Sequence, residues 1–148
     1  SCFNMIILLD FPRLKTMLIG NDSFQKVNWL SLSSLPSLES IEIGDNCFKD
    51  ISSDLYFRHF PLLESLKIGR KSFYNETNGD IVNRVFEISN CSNLLSIEIG
   101  EYSFSNFGYS FSLSSLPSLQ NLTIGSIDND SYNFMYLSNL IISGMKSV

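Results

Sequence analysis

Hydrophobic and polar positions alternate along this chain in short bursts, two to a unit, and the units repeat. Five segments align without gaps, beginning at Phe11, Leu35, Phe60, Cys91 and Leu116. Their glycines, Gly20, Gly44, Gly69, Gly100 and Gly125, are separated by 24, 25, 31 and 25 residues. One alternating pair stands just before each glycine, as in Ile41/Ile43, Leu66/Ile68, Ile97/Ile99 and Leu122/Ile124. A second pair precedes each block: Ile6/Leu8, Leu30/Leu32, Leu55/Phe57, Phe86/Ile88 and Phe111/Leu113. A period of two predicts strands with one face buried. A unit this short cannot bury its own apolar side, so each copy must stack on its neighbours in a solenoid.

Phe24, Phe48, Phe73 and Phe104 recur at one position and predict a stacked, buried spine. The fifth copy breaks it, with Asn129 in that place. The glycine either supplies a special backbone angle or lets adjacent turns approach closely. Pro12, Pro36, Pro61 and Pro117 crowd the short return path, and the chain has no Ala, so a long helix does not fit there. A short strand or extended segment on the opposite face is predicted instead.

Composition narrows the function classes. Charged residues make up 17% of the chain and the net charge is −5, which excludes the clustered basic surface of a nucleic-acid binder. No run approaches the roughly 18 apolar residues that span a membrane. The three cysteines form no CxxC and His59 is the single histidine, which argues against a disulfide framework and a zinc site. Cys47 shares its position with Ser23, Ser72 and Ser103, and Cys91 shares one with Leu35, Phe60 and Leu116, so both read as packing residues. No nucleophile, base and orienting group fall together, so neither an enzyme nor a cofactor is expected.

The run LxxφxφGxxxF, as in Leu38, Ile41, Ile43, Asn46 and Phe48, resembles the core of the leucine-rich repeat superfamily over essentially the whole chain. The IGxxSF tail, and the CxxLxxI of the fourth copy, look most like the surface-antigen (BspA-like) variety of bacteria and protists. The resemblance implies a β-rich α/β-type solenoid, a horseshoe or arc. Its parallel sheet would be concave, with short strand, irregular or 3-10 segments on the convex side. It also implies a non-catalytic protein-interaction module for adhesion or recognition at a cell surface, with a protein, glycoprotein or matrix ligand. An intracellular scaffold and a structural spacer between domains are the rival readings, and the compartment stays open. One departure matters: the family's Asn is present only at Asn46, while Asp22, Lys71, Tyr102 and Ile127 stand in its place. The turns must therefore be held by something else.

On the exposed side of the sheet, one column reads Leu18, Glu42, Lys67, Glu98, Thr123, and another reads Asn21, Asp45, Arg70, Glu101, Ser126. The signs alternate across the middle repeats, so the rows either neutralise themselves and fix register or form a recognition patch. Glu42, Asp45, Lys67, Arg70, Glu98 and Glu101 are the binding candidates. The longest spacing, from Gly69 to Gly100, holds extra polar residues whose projecting loop makes Asn75, Glu76 and Asp80 further candidates. Asn75 also leads the five N-x-S/T sequons as an acceptor. Residues 1–148 are expected to form one array of five full repeats and a partial C-terminal unit, cut from a longer one. The apolar segments Met5–Leu9 and Met135–Ile142 would then favour end-to-end association of the isolated chain.

Overall fold

The computed structural model describes residues 4–74 and 83–145. Eleven strands alternate between two rows as the chain winds. The front row holds β2 (Thr16–Ile19), β4 (Ser40–Ile43), β6 (Ser65–Ile68), β8 (Ser96–Ile99) and β10 (Asn121–Ile124), paired in that order as one five-stranded sheet. The back row holds β1 (Met5–Leu9), β3 (Trp29–Ser33), β5 (Leu55–Arg58), β7 (Val85–Ser89), β9 (Ser110–Ser114) and β11 (Asn139–Ser143). All pairing is parallel. The fold is a parallel β-solenoid of about five turns.

This overturns the leucine-rich-repeat class. No helix forms among the described residues, and the return path is itself a strand in every turn. A horseshoe curves because helices on its outer side are wider than the strands within. With strands in both rows, each turn advances by the same ~4.8 Å on either side, and the cause of a concave face is missing. The alternating pairs Leu30/Leu32, Leu55/Phe57, Phe86/Ile88 and Phe111/Leu113 are the inward residues of the back row, all buried.

Each turn is built from the same parts. A β-turn closed by the amide of Leu38 on the carbonyl of Leu35 (3.3 Å), and by its counterparts Leu14, Leu63, Leu94 and Leu119, leads into each front strand. The prolines occupy the first central position of four of these turns, where a fixed φ is already right. After each described back strand the chain passes through the left-handed region, at Asp10, Ser34, His59, Asn90, Ser115 and Gly144. His59 is thus an exposed turn residue.

The front strands end at the glycines, whose role is close approach. A Cβ on Gly69 would lie 2.6 Å from the carbonyl carbon of Gly44, and one on Gly100 would lie 2.5 Å from that of Gly69. Neither has a positive φ; among the five repeat glycines only Gly125 does.

Two side-chain ladders hold the turns together. Asn21 Oδ1 accepts the Asp45 amide (2.8 Å), and Asp45 Oδ1 accepts the Arg70 amide (2.7 Å). Deeper in the turn, Ser72 Oγ donates to the Gly44 carbonyl (2.7 Å) and accepts the Cys47 amide (3.1 Å). Ser103 repeats this with Gly69 (2.6 Å) and the Ser72 amide (3.0 Å), and Cys47 Sγ reaches the Gly20 carbonyl (3.1 Å). Buried backbone groups of successive turns are satisfied in this way.

The phenylalanine spine is continuous and longer than the alignment suggests. Ring centroids are 5.7 Å apart from Phe24 to Phe48, 5.1 Å to Phe73, 4.9 Å to Phe104 and 5.2 Å to Phe134. All five residues have φ between 51° and 59°, a costly conformation for a bulky side chain that stacking offsets, with burial adding to it at Phe48, Phe73 and Phe104. The expected burial fails at Phe24, which ends the stack and is 48% exposed. Phe134, not Asn129, is the fifth member. Residues 126–130 are an insertion between Gly125 and Ser131, and the Tyr102 amide bonds to the carbonyl of Ser131 (2.6 Å) as that of Lys71 bonds to Glu101 (2.8 Å). Asn133 accordingly takes the serine position and donates to the Gly100 carbonyl (2.7 Å).

Candidate functional site: the front sheet face and a break in the back row

The front strands bury Ile41/Ile43, Leu66/Ile68 and Ile97/Ile99 and turn the alternate residues outward. Register places Glu42 beside Lys67 and Lys67 beside Glu98. Thr16, Ser40, Ser65 and Ser96 run parallel to this row, and a shallow depression of about 230 Å³ lies between the two columns.

The two charged columns differ in how far they close on themselves. At the turn, Arg70 pairs with Glu101 at 3.1 Å, and the Asp45 carboxylate holds the Arg70 amide. Asp45, Arg70 and Glu101 are therefore tied into the scaffold. The strand column is aligned but open: among the described residues no ion pair joins Glu42, Lys67 and Glu98, all exposed. Asn75, Glu76 and Asp80 lie outside the described residues. Asn21, another sequon, is engaged in the turn ladder.

The back row holds a feature that the repeat pattern does not announce. β1 pairs with β3, and β5, β7, β9 and β11 pair in series, but no ladder joins β3 to β5. The front strands of the same turns, β4 and β6, are fully paired. Parallel strands aim the N–H and C=O of alternate residues to one side. Leu30 and Leu32 on β3, and Tyr56 and Arg58 on β5, thus face the break with unpaired backbone. Two cavities open along it, of about 480 Å³ and 300 Å³, sharing Leu30, Ser31 and Tyr56 in their walls.

Around this seam the charged side chains are engaged, one pair with each other and the rest with neutral groups. Arg58 lies 4.3 Å from the Tyr56 ring centre and 3.4 Å from Glu87. The Asp54 carboxylate accepts the Val85 amide (2.9 Å) and the Tyr56 hydroxyl (3.4 Å). Burial, and after it the Asp54 charge, pushes the Tyr56 phenol up, so it stays protonated as a donor. Arg84 donates to the carbonyls of Ser52 and Asn83. One group is left over: Ser53, only 6% exposed, lines the second cavity, and its buried hydroxyl has no hydrogen-bond partner.

The paths that lead into the two sides of the seam differ by one residue. Leu30 follows Phe24 by six positions, whereas Leu55 follows Phe48 by seven, and Ser53 lies in the longer path. A seven-residue path alone is not enough, because Phe111 follows Phe104 by seven and β9 pairs on both sides. Ser53 is the extra residue on the path into β5, the place where a bulge-like insertion would shift a strand from its neighbour's edge.

Elsewhere, Cys47 and Cys91 are buried free thiols, and burial pushes both above the usual thiol range. Among the described residues no three His, Cys, Asp or Glu side chains gather as a metal site, and no helix is long and apolar enough to cross a membrane. Compared with protein-family models, curated proteins and solved structures, the chain shows no match.

Proposed function

We propose that this chain is a non-catalytic protein-interaction module that binds through the front sheet face. The observation that carries this reading is the open column Glu42–Lys67–Glu98. A self-neutralising row would close into ion pairs like the Arg70–Glu101 contact beside it, whereas this one leaves three alternating charges for a partner of opposite pattern. Alternating charge gives an interface specificity and register more than raw affinity. A five-stranded sheet backed by a stacked core also holds such a pattern rigidly, which lowers the ordering cost of binding.

The surface-antigen resemblance of the IGxxSF tails favours recognition or adhesion at a cell surface, with a protein or glycoprotein partner. An intracellular scaffold uses the same face with a different partner, and a spacer uses none.

The test immobilises the chain and its Glu42→Gln/Lys67→Gln/Glu98→Gln variant, each offered extracellular-matrix proteins and lysate of the source organism. The substitutions are neutral and nearly isosteric at exposed sites, so the melting temperature is expected to hold. A saturable matrix partner lost in the variant supports the adhesive reading. A lysate partner lost in the variant moves the function to a scaffold. Capture that the variant retains, or no capture at all, removes this face from the account.

A further inference from the structure

We propose that the seam between β3 and β5 is a binding cleft for a neutral saccharide of one or two rings. It lies on the row opposite the Glu42–Lys67–Glu98 column and does not depend on it. Four observations select the ligand class. The charged groups at the seam are engaged, Arg58 with Glu87, Asp54 with the Val85 amide and Arg84 with the Ser52 and Asn83 carbonyls, and two positive charges face two negative ones, so no net charge selects a charged ligand. What remains free is hydroxyl and peptide: the seryl lining at Ser31 and Ser33, the backbone edges at Leu30, Leu32, Tyr56 and Arg58, and just behind the lining the buried, unpartnered Ser53 Oγ. Such a wall asks for a ligand dense in both donors and acceptors, and leaving it unmatched costs free energy.

The rings supply the second half of the chemistry. Tyr56 stands between the two cavities and Trp29 lines the second. An aromatic wall with a few convergent polar groups is the usual makeup of a small-molecule site, and it suits a ring with one carbon-bound hydrogen face and a hydroxylated rim.

Width then decides against a peptide. Strand edges are natural templates for an added strand, but a strand paired on both sides needs walls about 9.6 Å apart, twice the ~4.8 Å strand spacing. Cα atoms of β3 and β5 come within 8 Å of each other. The slot is too narrow for a strand to insert and pair on both sides, so the proposed sugar sits at the outer mouths of the two cavities, of about 480 Å³ and 300 Å³, rather than between the strands.

Trp29 is the single tryptophan of the chain, so its emission reports on the cleft directly. The full chain is titrated with glucose, N-acetylglucosamine, cellobiose and chitobiose, and separately with an eight-residue Val-Thr repeat peptide. A saturable shift with at least one sugar is expected. Ser53→Ala should weaken it by about tenfold, the loss of one buried hydrogen bond, and leave the melting temperature unchanged or higher, since that hydroxyl has no partner in the fold. Tyr56→Ala should abolish it; if that variant does not fold, Ser53→Ala and Ser31→Ala decide. The triple Gln variant of the front face should bind sugar normally. A shift with the peptide alone would overturn the proposal in favour of strand capture. No shift with any ligand, or a shift indifferent to Ser53→Ala and Tyr56→Ala, would overturn it outright.

Discussion

Ser72 shows how much of this molecule is decided by single small side chains. Its hydroxyl serves two turns at once, donating to Gly44 and accepting from Cys47. Ser72→Ala leaves a buried amide and a buried carbonyl unsatisfied, each worth about 1–3 kcal/mol, so a loss of about 2–4 kcal/mol in urea denaturation is expected. Cys47→Ser should be neutral or stabilising, because a hydroxyl is the better donor to the Gly20 carbonyl at a position where serine is the rule. The two buried thiols add a pH dependence. Burial raises both above the usual 9.0, so the fold favours the neutral form. Their contribution is complete below that value and is lost as pH rises through the raised one. In a Cys2→Ser background, the melting temperature should fall more between pH 8 and 11 than in the same chain carrying Cys47→Ser and Cys91→Val. Parallel curves would deny the thiols that role. The equivalence of Cys47 with serine was legible in the alignment, as was the apolar position of Cys91. The hydrogen bonds that make the serine row obligatory were not, since nothing in a repeat says which carbonyl a hydroxyl will reach.

At the scale of the strand, pattern and structure agree where alternation is strong and part where a residue is added. Every alternating pair became a strand, front and back. The Gly20-to-Gly44 and Gly44-to-Gly69 spacings differ by one, and that difference was visible but mute, because solenoid turns commonly absorb an extra residue in a loop. Here it lies at the entry to β5, the strand that is unpaired with β3. Deleting Ser53 should let β5 regain the register that β1 and β3 share. The restored backbone bonds, at about 0.5–1.5 kcal/mol each, should raise the melting temperature and close both cavities. A lower melting temperature would mean that something other than chain length holds the strands apart. The fifth unit taught the opposite lesson. A gapless alignment put Asn129 on the spine, whereas a five-residue insertion carries the chain out and returns Phe134 to the stack.

For the whole molecule, the repeat could be read from the sequence and its class could not. The LxxφxφGxxxF core fixes one strand and the turn after it, and both an α/β horseshoe and a two-row β-solenoid contain that much. What separates them is the return path, and a strand there removes the curvature on which a concave binding face depends. The candidate charges were found because register in a parallel sheet follows directly from the repeat. Which of them are free was not legible, since it turns on side-chain reach: Arg70 meets Glu101, while Lys67 meets neither neighbour.

The unzipped line in the back row also bears on how the array responds to load. Pulled along its axis, a parallel solenoid resists through rows of interstrand bonds that must shear or peel turn by turn. Between β3 and β5 half of that resistance is missing, and only the front sheet and the core bridge the gap. Tension would concentrate there, hinging the first two turns away from the remaining three and widening the cleft, which would act as a built-in extensible joint whose give depends on whether the cleft is filled.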